Sequence, residues 1–193
     1  MSSATSVAAE AAPPIRLTNL VWCALSFAVL AVAVWLDNRW ALNFIHVMCG
    51  VLWTGIDLFM GFVVGPVMRR LPPPARRAMI VNLMPKMLFL LPTLSILTTT
   101  AGWFHARQIG YLDAPYPQYC WVMAALVIVA ILTVQGFAIL LPSNLLVYLE
   151  MKKPQPDVPR IGRLMRRYIY AVAFQGSMQV AIIVVMARFV TGL

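Results

Sequence analysis

Five long apolar stretches, separated by short polar or basic segments, make up most of the chain: about residues 17–36, 40–68, 78–104, 119–149 and 168–190. A helix that crosses a bilayer needs about 20 predominantly apolar residues, and each stretch reaches that length. Strands in folded domains are much shorter. The weaker alternation of a membrane β-barrel, in units of about ten residues, is absent. The pattern predicts an all-α integral membrane bundle of five transmembrane helices, a single domain over residues 17–193. Residues 1–16, rich in Ala, Ser and Pro, read as a disordered cytoplasmic tail with no basic segment of the kind that opens a secretory signal.

Composition supports the same class. Of 193 residues, 62% are hydrophobic and 11% charged, where a soluble domain carries about a quarter charged. Cys23, Cys49 and Cys120 stand alone in apolar surroundings, as small buried hydrophobes rather than a disulfide or zinc framework. The net charge of +9 is a topology signal. With five spans, Arg16, Arg69, Arg70, Arg76, Arg77, Lys152, Lys153, Arg160, Arg163, Arg166 and Arg167 share one side, and only Arg39, Arg107 and Arg188 lie on the other. The positive-inside rule then predicts a cytoplasmic amino terminus and a carboxyl terminus outside. Trp35, Trp40, Trp103, Tyr111, Tyr116, Tyr119 and Trp121 gather at the outer ends, as an interfacial aromatic belt does. This distribution fits the lipid bilayer and anionic headgroups, not nucleic acid.

Three ionisable groups fall inside the apolar stretches or close to their ends: His46, Asp57 and Lys86. Intramembrane ionisable groups are costly and mark function by default. His46 and Asp57 are eleven residues apart, almost three whole turns, so they share one helix face about 16 Å apart along the axis. Gly50, Trp53, Gly61 and Val64 lie near the same line. This stripe serves either a ligand or a close helix–helix seam. On the third stretch, Asn82, Lys86, Thr93 and Thr100 share a face, and Pro85 and Pro92 weaken the backbone ladder. Lys86 is expected to form an intramembrane ion pair with Asp57, the alternative being snorkelling to the headgroups. His105 closes this stretch on the outer side. No His-x-x-x-His, paired carboxylates, phosphate-binding glycine loop or nucleophile–base set is present, so no catalytic residues are assigned.

The run Asn43-Phe44-Ile45-His46-Val47-Met48-Cys49-Gly50-Val51-Leu52-Trp53-Thr54-Gly55 resembles the His…Trp-x-Gly helix of copper-resistance D-type membrane domains. It is also similar to HemJ-type protoporphyrinogen oxidases and to the membrane domain of PuuD-type urate oxidases. Phe62 to Arg70 continues the motif, and Leu91-Pro92-Thr93 through Gly102-Trp103 resembles the next helix of those families. The resemblance covers about residues 40–105. It implies a helical bundle in which His46 ligates the iron of haem b, with a second ligand in His105, a methionine such as Met84 or Met123, or none; Gly50 and a dry aromatic pocket of Trp53 and Trp103 are expected around it. HemJ-type proteins carry further His or Lys positions after the Pro…Gly helix, and Tyr119–Leu149 has neither.

These features predict a haem-b-binding redox or electron-transfer component of a bacterial inner membrane, exchanging electrons with a quinone, a cytochrome or a membrane-complex partner. The alternatives are a small ion or metal transporter using Asp57 and Lys86, and an accessory subunit of a larger complex. Assembly as an oligomer is compatible with each.

Overall fold

A computed structural model describes residues 18–191, which form helices joined by short turns, with no strand among them. The disordered tail expected over residues 1–16 lies outside the described residues. Five helices follow one another: α1 (Asn19–Trp35), α2 (Arg39–Arg70), α3 (Pro73–Gln108), α4 (Gln118–Lys152) and α5 (Val158–Thr191). The last four are 32 to 36 residues long and apolar enough to cross a membrane, whereas α1 is an apolar helix of 17 residues.

Local chemistry sets the boundaries. Asn38 caps α2 by accepting the Ala41 N–H at 2.9 Å. Pro73 and Pro74 open α3, where a missing N–H costs nothing. Gly110, at φ +76°, turns the chain after α3, a conformation that L side chains resist. Helix α5 starts ten residues before its apolar stretch, because Arg160, Arg163, Arg166 and Arg167 extend it beyond the hydrophobic zone. Hydropathy marks the width of the oily layer, not the end of a helix. At about 1.5 Å per residue, 34 residues reach about 51 Å, well past a core of about 30 Å.

Both α2 and α4 contain one wide turn. Gly65 N–H bonds to Met60 O, and Leu141 N–H to Gly136 O, each five residues back. These π-turns span Met60–Val64 and Gly136–Leu140, and each lies one residue or so ahead of a proline, Pro66 and Pro142. A proline ring collides with the carbonyl four residues earlier, and a widened turn makes room for it. Pro85 and Pro92 sit inside α3, where Ser95 Oγ donates to Pro92 O at 2.9 Å and Thr98 Oγ1 to Leu94 O at 2.8 Å.

Helix α3 is the hub. Its apolar window is 39% buried, against 17–22% for the other long helices. It contributes to all three core clusters: Leu97 and Ala101 with Leu30, Ala33 and Leu42; Leu94 with Trp53 and Leu132; Ile80 and Met84 with Val147 and Tyr148. The outward faces stay apolar, with Val21, Leu25, Phe59 and Phe62 exposed, as in a bundle that meets lipid rather than water.

The two ends of the bundle are stitched differently. At one, Gln108 Nε2 donates to Asp37 Oδ1, Tyr111 packs on Phe189, and Arg188 stacks over Trp121 with 4.6 Å to the ring centre. Trp35, Trp40, Trp103 and Tyr116 stand exposed in the same half. At the other, Arg76 donates to the carbonyls of Met68, Arg69 and Leu71, Arg77 to those of Met151 and Lys153, and Glu150 holds Lys153 at 2.7 Å and Arg160 at 3.4 Å.

Candidate functional site

The stripe on α2 meets two different helices. At its upper level it faces α3: His46 Nδ1 lies 2.8 Å from Thr98 O, and the Gly50 position abuts Thr98 Cγ2. At its lower level it faces α5: a Cβ on Gly61 would meet Val172 at 3.7 Å, and Asp57 reaches Gln175 and Gln179. The two ionisable groups share a helix face, as their spacing requires, but they serve two separate sites.

The upper site is a pair of imidazoles in the α2–α3 seam. A carbonyl can only accept, so His46 Nδ1 is the donor to Thr98 O and Nε2 keeps the lone pair. The ring rests in the notch left by Gly102, where a Cβ would stand 2.5 Å from Nδ1. His105 follows Gly102 by three residues and is near enough to His46 and Arg39 to feel their charge. Its Nδ1 is buried with no hydrogen-bond partner. Of the other second-ligand candidates, Met84 is buried against Val147 and Tyr148, about 20 Å along α3 from Thr98, and Met123 is 38% exposed. Only His105 lies in the seam.

Trp53 does not enclose these imidazoles. It is buried about two turns further down α2 from His46, against Leu94 and Leu132, and Trp103 is 48% exposed. Among the described residues no group of three or more His, Cys, Asp or Glu gathers to hold a metal ion. The residues therefore fit the ligating end of a haem, with one oriented imidazole and one unpaired ring nitrogen, but not the aromatic pocket expected around its ring.

The lower site is a buried carboxylate. Asp57 is 8% exposed, and its Oδ2 accepts from Gln175 Nε2 at 2.5 Å and Gln179 Nε2 at 2.8 Å. The Trp53 side chain, one turn away, is a third hydrogen-bond partner. The carboxylate opens onto a cavity of about 50 Å³ between α2, α3, α4 and α5, whose polar lining is Ser95, Thr133, Asn144, Tyr168 and Gln175. That volume holds a few waters and is far below the roughly 300 Å³ of a small cofactor pocket. His46 is not among its walls. Tyr168 bonds with Asn144, and Gln135 Nε2 donates to Ala171 O, tying α4 to α5. The α4 π-turn supplies Gly136, Phe137 and Leu140 to the wall, and the α2 π-turn starts three residues after Asp57.

The expected Asp57–Lys86 ion pair does not form. Lys86 is exposed on α3 beside Asn82 and Met79, in an outward groove, while Asp57 faces α5. Among the described residues the only ion pairs are those of Glu150. A neutral amide cage takes the place of the lysine. Tyr168, Gln175 and Gln179 were legible as a set, seven and then four residues apart on one face of an apolar helix.

Comparison with protein-family models, with curated proteins and with solved structures finds no match for this chain.

Proposed function

We propose that this is an integral membrane protein that binds a small cation at Asp57 and forms part of an ion pathway through the bundle. One observation carries this reading: a carboxylate 8% exposed, midway along a membrane-length helix, held by neutral amides instead of a lysine or arginine. Charge at the centre of a membrane helix costs about 3 kcal/mol or more, and such residues line ion and proton routes. A water-sized cavity beside it, flanked by two π-turns, is the kind of place where backbone irregularity serves function. Five spans with the basic end in the cytoplasm of a bacterial inner membrane complete the proposal.

Reconstituted in proteoliposomes, the protein is expected to pass protons or a monovalent metal cation down an imposed gradient. Asp57→Asn is expected to abolish that flux, and Asp57→Glu to retain part of it. Undiminished flux in Asp57→Asn, or no flux of any cation in the wild type, overturns the reading.

A second reading keeps the redox role. It is supported by the His46 Nδ1–Thr98 contact, since ligating histidines commonly fix one ring nitrogen on a carbonyl and offer the other to the metal. Bound haem b would supply one-electron chemistry, with a quinone or cytochrome as partner. The expectation is a Soret band in purified protein, lost in His46→Ala while the helical content persists. Protein free of porphyrin absorbance after haem supply removes it.

A further inference from the structure

We propose that the ion taken up by Asp57 is the proton, and that Gln175 or Gln179 accepts the hydrogen bond of the protonated carboxyl group by a half-turn of its amide. This rests on the ion-binding reading of Asp57 and names its ligand.

With Asp57 ionised, every donor that reaches it is matched, but the glutamine carbonyls around it are left over. Two amide N–H₂ groups and the Trp53 side chain converge on the carboxylate. The Oε1 atoms of Gln175 and Gln179 are buried and without partners, as is that of Gln135. Gln175 and Gln179 are 3% and 1% exposed, so bulk water does not relieve them, and only Gln175 lines the cavity. Buried unpaired acceptors cost about 1–3 kcal/mol each. A protonated Asp57 resolves part of this. Its new O–H needs one acceptor, and a half-turn of one glutamine amide offers Oε1 in place of Nε2. The other glutamine continues to donate to the second carboxyl oxygen. The proton arrives as hydronium through the adjoining cavity: one hydronium O–H bond breaks and leaves water, an O–H bond forms on the carboxyl group, the charge there goes from −1 to zero, and no electron moves.

A metal cation is a poorer match. Hard cations gather several oxygen ligands; Asp57 is the one carboxylate on this cavity wall, and a cation would need both glutamine amides to turn where the proton needs one. The titratable residues on the cavity wall are Asp57 and Tyr168, the latter from α5 and bonded to Asn144; α3 and α4 contribute none. The proton therefore has one acid to occupy there.

Infrared difference spectra of the purified protein, stepped in pH without sodium, test this directly. The expected result is a carboxylic C=O band that grows on acidification and is lost in Asp57→Asn, with a glutamine amide band changing over the same pH range. Isotope-labelled aspartate in a protein carrying Asp37→Asn, Asp113→Asn and Asp157→Asn assigns the first band to Asp57, so the test survives a poorly folded Asp57→Asn variant. The amide change is expected to vanish in the Gln175→Met, Gln179→Met double variant. An aspartate band with no glutamine change overturns the amide turn. If sodium at fixed pH suppresses the band saturably, the proton assignment falls while the cation site stands. If neither acid nor sodium changes any Asp57-dependent band, the ion-binding reading falls as well.

Discussion

Gly102 holds the upper site together by having no side chain. Its Cα hydrogen leaves the notch in which the His46 ring lies, and the ring's Nδ1 is thereby delivered to Thr98 O. Gly102→Ala would put a methyl 2.5 Å from Nδ1, so the imidazole or the α3 backbone must move. Overpacking of this kind costs about 1–3 kcal/mol. The variant is expected to melt earlier in detergent than the wild type, and to lose any His46-dependent absorbance. Leu42, at 1% exposure, tests the opposite defect: Leu42→Ala leaves a void among Leu30, Leu97 and Ala101 and is expected to cost about 2–5 kcal/mol in the same melt. His46, Gly50, Asp57 and Gly61 were all legible as a stripe from their spacing. What they touch was not, because a helix face is set by local geometry and its neighbour by the crossing of whole helices.

At the scale of elements, the α4 π-turn forms part of the cavity wall and the α2 π-turn follows Asp57. Each contains a glycine and precedes a proline, Gly61 with Pro66 and Gly136 with Pro142. Without the proline ring, the extra residue in the wide turn loses its steric cause. Pro66→Ala is expected to let α2 tighten, and amide hydrogen exchange should then show residues 62–66 better protected than in the wild type. Unchanged exchange there would mean that packing against α5, not the ring, widens the turn. Prolines in apolar stretches predict bent helices, but Pro85 and Pro92 leave α3 continuous while Pro66 and Pro142 accompany π-turns. Local sequence does not separate the two outcomes.

For the whole molecule, charge and contacts agree on two unlike ends. The end that joins Arg76 and Arg77 to the carbonyls of α2 and α4 also carries Arg163, Arg166 and Arg167. The opposite end has Asp37 with Gln108, Arg188 over Trp121, and the exposed tryptophans. In a variant with Cys23, Cys49 and Cys120 replaced, single cysteines at Asp37 and Asp113 are expected to react with impermeant reagent from outside the cell. Cysteines at Leu71 and Gln155 should react only from the cytoplasm. Labelling of 37 and 71 from the same side would show that α2 does not cross as proposed. The helix class, the apolar spans and the segregation of basic residues were all legible in the chain, because each follows from how a run of side chains partitions between oil and water. The pairing of Asp57 was decided only in three dimensions. Two carboxamides 118 and 122 residues away occupy the position a lysine was expected to fill, and Lys86, close in sequence, is exposed on α3. Hydropathy reports the cost of burying a charge; which distant group meets it depends on how the helices pack.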